Sequence, residues 1–412
     1  MSKLKGNIIS LLLLQASNYI IPILTIPYLT RVLGVEQYGM YGMILSISQY
    51  FVLFIDFGFN LTASKRVAVN KENKNELSNI FISTISAKLI LLIISLLVMF
   101  AFIEHYQSYD LLLFTIVQLI GAVLNPIWFF QGLERIKLFT ISSIIARVSL
   151  LPLLFILVKD SKDIGVALFI QSSILLITGA IGLFIISRNA YITYITPSLK
   201  NAIEYLKGSV SIYIAGLAIS LYSISTPIIL NLTSSIDQVG IFVGADKLKV
   251  AILGVFLVLG HAFYPRVNVL YKESTQKAFK FINKIFYLQG VSTIVLSLFI
   301  YFFSDYIVKL ALGSDFSDAG LILKILSPLI FLITQSVILA NYILLPLGHD
   351  RIYTRIPLFT SVMHLLFCYY LGGMYGAVGG AVSILIIESI TFMILCYTVY
   401  KKGYLIRVVR WW

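Results

Sequence analysis

Charge is scarce in this chain. Only 12% of its 412 residues are Asp, Glu, Lys or Arg, roughly half the share of a soluble chain of this length. Cysteine is scarcer still: Cys368 and Cys396 both lie in apolar segments and supply neither a disulfide framework nor metal-ligand spacing. No GxxxxGK(S/T) phosphate loop occurs, which excludes ATP hydrolysis by that route. Long polar segments are also missing. The longest, about 188–207 and 264–281, are read as cytoplasmic, and the outer loops are short, so no extracytoplasmic domain is expected to house an enzyme.

What fills the chain instead is apolar sequence, 59% hydrophobic with mean hydropathy +0.95. Runs of about 20 such residues each suffice to cross a bilayer as a helix. Twelve spans are expected, near 7–31, 37–62, 78–103, 109–131, 138–158, 163–187, 208–232, 239–263, 281–303, 320–346, 352–371 and 375–399. The first follows Lys3 and Lys5 but carries Pro22, Pro27 and Arg31 where a signal peptide would be cleaved, so it reads as a retained span.

Loop charge orients the spans. With the N-terminus inside, the cytoplasmic loops gather most of the basic residues, among them Lys65, Arg66, Lys71 and Lys74, then Lys272, Lys277, Lys280 and Lys284. Both termini then face the cytoplasm. The same bias accounts for the net charge of +13, which points to anionic headgroups and not to nucleic acid. The tail RVVRWW, Arg407–Trp412, reads as an interfacial anchor.

An internal echo divides the chain. Pro27 precedes Glu36-Gln37-Tyr38-Gly39, and Pro227 precedes Asp237-Gln238-Val239-Gly240; Gly132-Leu133-Glu134-Arg135 likewise answers Gly348-His349-Asp350-Arg351. Two echoes in register imply two six-helix halves inserted in one orientation and related by an axis along the membrane normal, an arrangement seen in transporters. The expected division is 1–190, a cytoplasmic linker 191–207, and 208–412 with its basic, aromatic tail. Glu36 and Asp237 of the first echo are read as helix caps in preference to substrate contacts.

Three segments carry a family resemblance: PYLTRVLGVEQYG (27–39), DFGFNLTASKRVA (56–68) and NPIWFFQGLERIK (125–137), with AFYPRV (262–267) weaker. They resemble Wzx-type O-antigen flippases, polysaccharide transporters of the multidrug/oligosaccharidyl-lipid/polysaccharide exporter superfamily. The resemblance implies an all-α fold of two six-helix bundles around a central cavity, in the bacterial inner membrane. It also implies alternating access and an undecaprenyl-diphosphate-linked oligosaccharide as substrate, carried to the periplasmic leaflet. Other polysaccharide assembly proteins are implied partners. No catalytic residue, cofactor or metal is expected. Two other readings are a multidrug or cation exporter of the same superfamily and a membrane-bound glycan polymerase or ligase; the latter lacks its expected large outer loop.

Ionisable residues within spans are the candidate functional groups, because each costs about 2.5–3.5 kcal/mol at mid-bilayer. Lys88 and Arg147 lie near the centres of spans three and five, with Lys247 and Lys249 in span eight and Lys324 near the outer end of span ten. Such cations suit a diphosphate or an acidic sugar. Lys324 equally fits a lysine snorkelling to the interface, and Asp246 fits local pairing with Lys247 or Lys249. Asp56 and Glu388 are the candidate ion-coupling groups. Gln15, Asn18 and Thr25 share one face of the first helix with Pro22, a polar face suited to sugar hydroxyls. The histidines of the spans, His261 and His364, read as solitary.

Overall fold

A computed structural model describes residues 2–105 and 107–404, leaving out the side chains of 2–11, 14–16, 18, 105, 107–109, 261–262 and 350–351. The tail Arg407–Trp412 and the side chains of Gln15 and Asn18 therefore lie outside the described residues. Within them the chain is all-helical. The principal elements are α1 (Ser2–Asp56), α2 (Phe59–Val69), α3 (Lys74–His105), α4 (Ile116–Leu124), α5 (Ile127–Gly132), α6 (Ile136–Leu157) and α7 (Ile164–Arg188). There follow α8 (Leu199–Ser223), α9 (Thr226–Thr233), α10 (Ile236–Glu273), α11 (Thr275–Ala311), α12 (Ala319–Leu326), α13 (Leu329–Val337) and α14 (Asp350–Lys401), with a π-helical turn at Ile338–Leu344.

Nine of the described helical segments are long and apolar enough to cross a membrane. The stretch of α10 that carries Asp246, Lys247 and Lys249 is not among them. Two of the nine, Tyr19–Val69 and Ile352–Lys401, hold 51 and 50 residues, far beyond the roughly 20 a single span needs. Both are broken at a glycine: Gly34 at φ 72°, ψ 177°, and Gly376 at φ 56°, ψ −133°. Such backbone is open to glycine and strained for other residues.

The exposed face of α11 has the length and composition of a surface that fits a bilayer. Exposed Lys277, Lys280 and Lys284 lead into exposed Leu288, Val291, Val295, Leu298 and Phe302, then Tyr306 and Lys309, all along one helix face. From Lys284 to Tyr306 that stripe runs about 33 Å at 1.5 Å per residue, close to the roughly 30 Å of a hydrocarbon core. Amines and a tyrosine at its ends fit the headgroup levels.

Contacts divide the chain into two compact units. Met1–Ser17 with Met43–Ser220 form one, and Asn18–Gly42 with Leu221–Trp412 form the other. Each unit thus holds a piece of the other sequence half: 18–42 counts with the second, and most of α8 with the first.

In the second unit the echoed segments meet. A Cβ on Gly39 would collide with the Ile236 carbonyl and the Gly240 backbone, and one on Gly240 with the Val35 carbonyl. Glycine is needed at both positions for this close approach. The cap of α10 differs from the sequence reading: the Ser235 hydroxyl accepts from the Gln238 N–H at 3.5 Å, while Asp237 sits in the first turn, where its charge favours the positive end of the helix dipole. Gln238 has its own task. Its Oε1 accepts the Ala377 N–H at 2.8 Å, just past the break at Gly376. Arg31 donates to the Leu310 carbonyl at 2.5 Å, near the end of α11, where carbonyls have no helical partner.

Candidate functional site

In the first unit, three helices, α1, α3 and α4, converge on one ammonium. Lys88, with no exposed surface, donates from Nζ to Asp56 Oδ1 at 2.7 Å and to the Ala122 carbonyl at 3.0 Å. Asp56 is the last residue of α1, and its side chain is 25% exposed. The two residues after it, Phe57 and Gly58, both have left-handed backbone, φ 42° and 78°. That conformation is costly for Phe. Phe57 is held there by stacking on Tyr213 of α8, ring centroids 4.4 Å apart at 13°. Gly58 has no room for a side chain, since a Cβ would press on Ile212 and the Tyr213 backbone.

This ion pair changes what its members offer. Sequence reading treats Lys88 as a cavity cation and Asp56 as a separate ion-coupling group, but each is the other's partner. An ammonium sealed between a carboxylate and a carbonyl presents no open face to a phosphate. Arg147, half-buried on α6, donates from Nη1 to Ser17 Oγ at 3.4 Å.

The second unit holds a larger polar group. Asp246 pairs with Lys249 at 2.5 Å, one turn apart on α10, which selects Lys249 over Lys247 as the local partner. Lys247 itself is exposed. Glu388 of α14 is only 3% exposed and accepts a hydrogen bond from the Tyr222 hydroxyl at the end of α8. Lys249 lies within electrostatic reach of Glu388, and Asp246 within reach of Tyr222. One turn beyond Tyr222, Thr226 Oγ1 and His364 Nε2 are 3.0 Å apart. His364 is fully buried, its ring edge-on to Tyr222, and its Nδ1 has no hydrogen-bond partner among the described residues.

The remaining candidates stand apart from both groups. Lys324 lies 4.6 Å from the centroid of the Tyr301 ring, a cation–π contact. Thr25 turns back on its own helix and donates to the Pro22 carbonyl at 3.4 Å. Among the described residues no group of three His, Cys, Asp or Glu could hold a metal ion.

Sequence reasoning missed Tyr222, Thr226 and His364. Tyr222 is one of 25 tyrosines, and nothing near it in sequence marks it. His364 carried the available signal, an ionisable ring in an apolar run.

This all-helical fold, with apolar helices of membrane length, is similar to that of solved membrane transporters. It matches the lipid II flippase MurJ in an inward closed conformation at TM-score 0.76, with 14% identity over 95% of this chain and 88% of that one. An inward-facing multidrug resistance MATE family transporter of the MOP superfamily matches at 0.68, with 15% identity over 92% and 98%. The chain belongs to the polysaccharide biosynthesis protein family, whose sequence model matches residues 4–270. A relative from Escherichia coli (strain K12), named "Putative O-antigen transporter", is 32% identical over 94% of each chain. The capsular polysaccharide biosynthesis protein CapF of Staphylococcus aureus is 28% identical over 89% of this chain and 91% of its own.

Proposed function

We propose that this protein is a flippase that carries an undecaprenyl-diphosphate-linked oligosaccharide from the cytoplasmic to the periplasmic leaflet, for O-antigen or a related surface polysaccharide. One observation carries the reading: near end-to-end similarity to a relative named as an O-antigen transporter, on a fold shared with a lipid II flippase. The protein is a transporter of the bacterial inner membrane and not an enzyme, and other polysaccharide assembly proteins act beside it.

Twelve spans with both termini cytoplasmic fit this role. Two of the nine long apolar segments are each long enough for two spans and break at Gly34 or Gly376; α10 supplies one more. The repeat halves are 1–190 and 208–412, joined by 191–207.

Arg147 is the cation we assign to the diphosphate, because a guanidinium can hold phosphate oxygens bidentately. Lys247 and Lys324 serve as secondary cations. Lys88 and Lys249 act through their carboxylates. Glu388, with Tyr222, is the ion-coupling group, and Asp56 is a weaker candidate because Lys88 neutralises it. The polar face of Gln15, Asn18 and Thr25 receives sugar hydroxyls. Movement needs no ATP: with the inside negative, each charge exported gains about 2.3 kcal/mol per 100 mV, so an anionic diphosphate moves electrically downhill.

Deletion of the gene tests the reading. Surface glycan should disappear while lipid-linked repeat units accumulate on the cytoplasmic face, and wild-type protein should reverse both. Short surface chains without accumulation would point to polymerisation instead. Arg147→Gln should leave the protein in the membrane and reduce export; normal export would remove Arg147 from the substrate path.

A further inference from the structure

The acceptor that Lys88 finds on α4 exists because of a proline. In an α-helix the carbonyl of residue i accepts the N–H of residue i+4. Four residues after Ala122 stands Pro126, which has no N–H. α4 stops at Leu124, and Asn125 before the proline is extended, φ −70° and ψ 108°, as the residue before proline prefers. The Ala122 carbonyl is thereby stripped of its helical donor in a buried place, where an unmet acceptor is costly. The Lys88 ammonium, 3.0 Å away, supplies the missing hydrogen. Its other hydrogen bond goes to Asp56, next to the left-handed pair Phe57-Gly58. The proline is seated firmly: a Cβ at Gly182 on α7 would collide with its ring, so that helix approaches it closely.

We propose that Pro126 is a positioning residue for Lys88. By withholding an N–H it keeps the Ala122 carbonyl open as the second anchor of the ammonium. The doubly anchored ammonium then fixes the Asp56 carboxylate at the α1–α2 break, and with it the angle at which α2 leaves α1. DFGFN and NPIWFF are thus two ends of one electrostatic tie, with Lys88 as the middle. The functional consequence rests on the flippase reading: the tie must be intact for normal transport.

A double-mutant cycle tests the coupling. Pro126→Ala restores the N–H and lets it take the Ala122 carbonyl; Pro126→Gly does the same without adding a side chain. Each of these, and Lys88→Met, should lower glycan export per membrane-inserted molecule. The double variant P126A/K88M should export no less than K88M alone, since a reoccupied carbonyl has no ammonium left to serve. Losses that multiply in the double variant would show that Pro126 acts independently of Lys88 and overturn the proposal. Full export per molecule by P126A, even with a lowered melting temperature, would also overturn it, leaving the proline a structural role only. The same cycle read as thermal unfolding of the purified protein should show the same non-additivity. That arm stands even if gene deletion leaves the surface glycan unchanged, so failure of the flippase reading and failure of this one remain distinguishable.

Discussion

The two units solve the problem of buried charge in different ways. In the first, a lysine on α3 joins a carboxylate 32 residues before it to a carbonyl 34 residues after it, tying three helices together. In the second, the ion pair Asp246–Lys249 lies within one helix turn, and the buried carboxylate Glu388 accepts a hydrogen bond from the Tyr222 phenol. The first arrangement is an anchor whose members depend on one another across the fold. The second leaves a buried carboxylate hydrogen-bonded by a phenol. That contrast sets an ion pair between helices in the first unit against a local ion pair and a phenol–carboxylate hydrogen bond in the second.

The largest expected effect comes from breaking the anchor. Lys88→Met leaves Asp56 without its cation and Ala122 without its donor, and should destabilise the protein by about 3–5 kcal/mol. Adding Asp56→Asn should recover much of that loss, because removing both charges is far cheaper than removing one. Thermal unfolding in detergent reads both, and equal melting of the single and double variants would dissolve the contrast.

Tyr222→Phe comes next. It strips a buried carboxylate of its hydrogen bond and should cost about 1–3 kcal/mol, whereas Glu388→Gln keeps the bond and should melt near wild type. Capping is third: Ser235→Ala removes the α10 cap and should cost about 1 kcal/mol, measured in the same way. Smallest is Lys249→Met, where both charges belong to one helix turn and no tie between helices is lost; about 0.5 kcal/mol is expected for a local pair of this spacing. If Lys249→Met were as damaging as Lys88→Met, local and long-range pairs would be equivalent here and the comparison would fail.

Much of this was open to sequence reading. Charge in an apolar run singles out Lys88, Asp56, Lys249 and Glu388 one at a time, because the penalty of burying each is a property of the residue and its segment. Pairing is not, since it depends on which helix faces which. Asp56 and Lys88 are 32 residues apart, and no periodicity connects spans two and three. Gly34 stood out as punctuation in a polar stretch. The break at Gly376 lies in LGGMYGAVGG, where several glycines compete, and only the backbone selects one. Tyr222 and His364 were hidden for a related reason: a tyrosine and a lone histidine in a greasy helix look like packing until α14 brings Glu388 and His364 against α8 and α9. Membership of 18–42 in the second unit is equally illegible, because sequence order assigns it to the first half.

The most direct measurement is flipping itself. Purified protein reconstituted into vesicles, with a labelled undecaprenyl-diphosphate oligosaccharide loaded in one leaflet, should move the label to the other leaflet. The rate should rise when the potential favours movement of the anion. Vesicles with wild-type protein that retain the label as long as protein-free vesicles, at any imposed potential, would contradict the account.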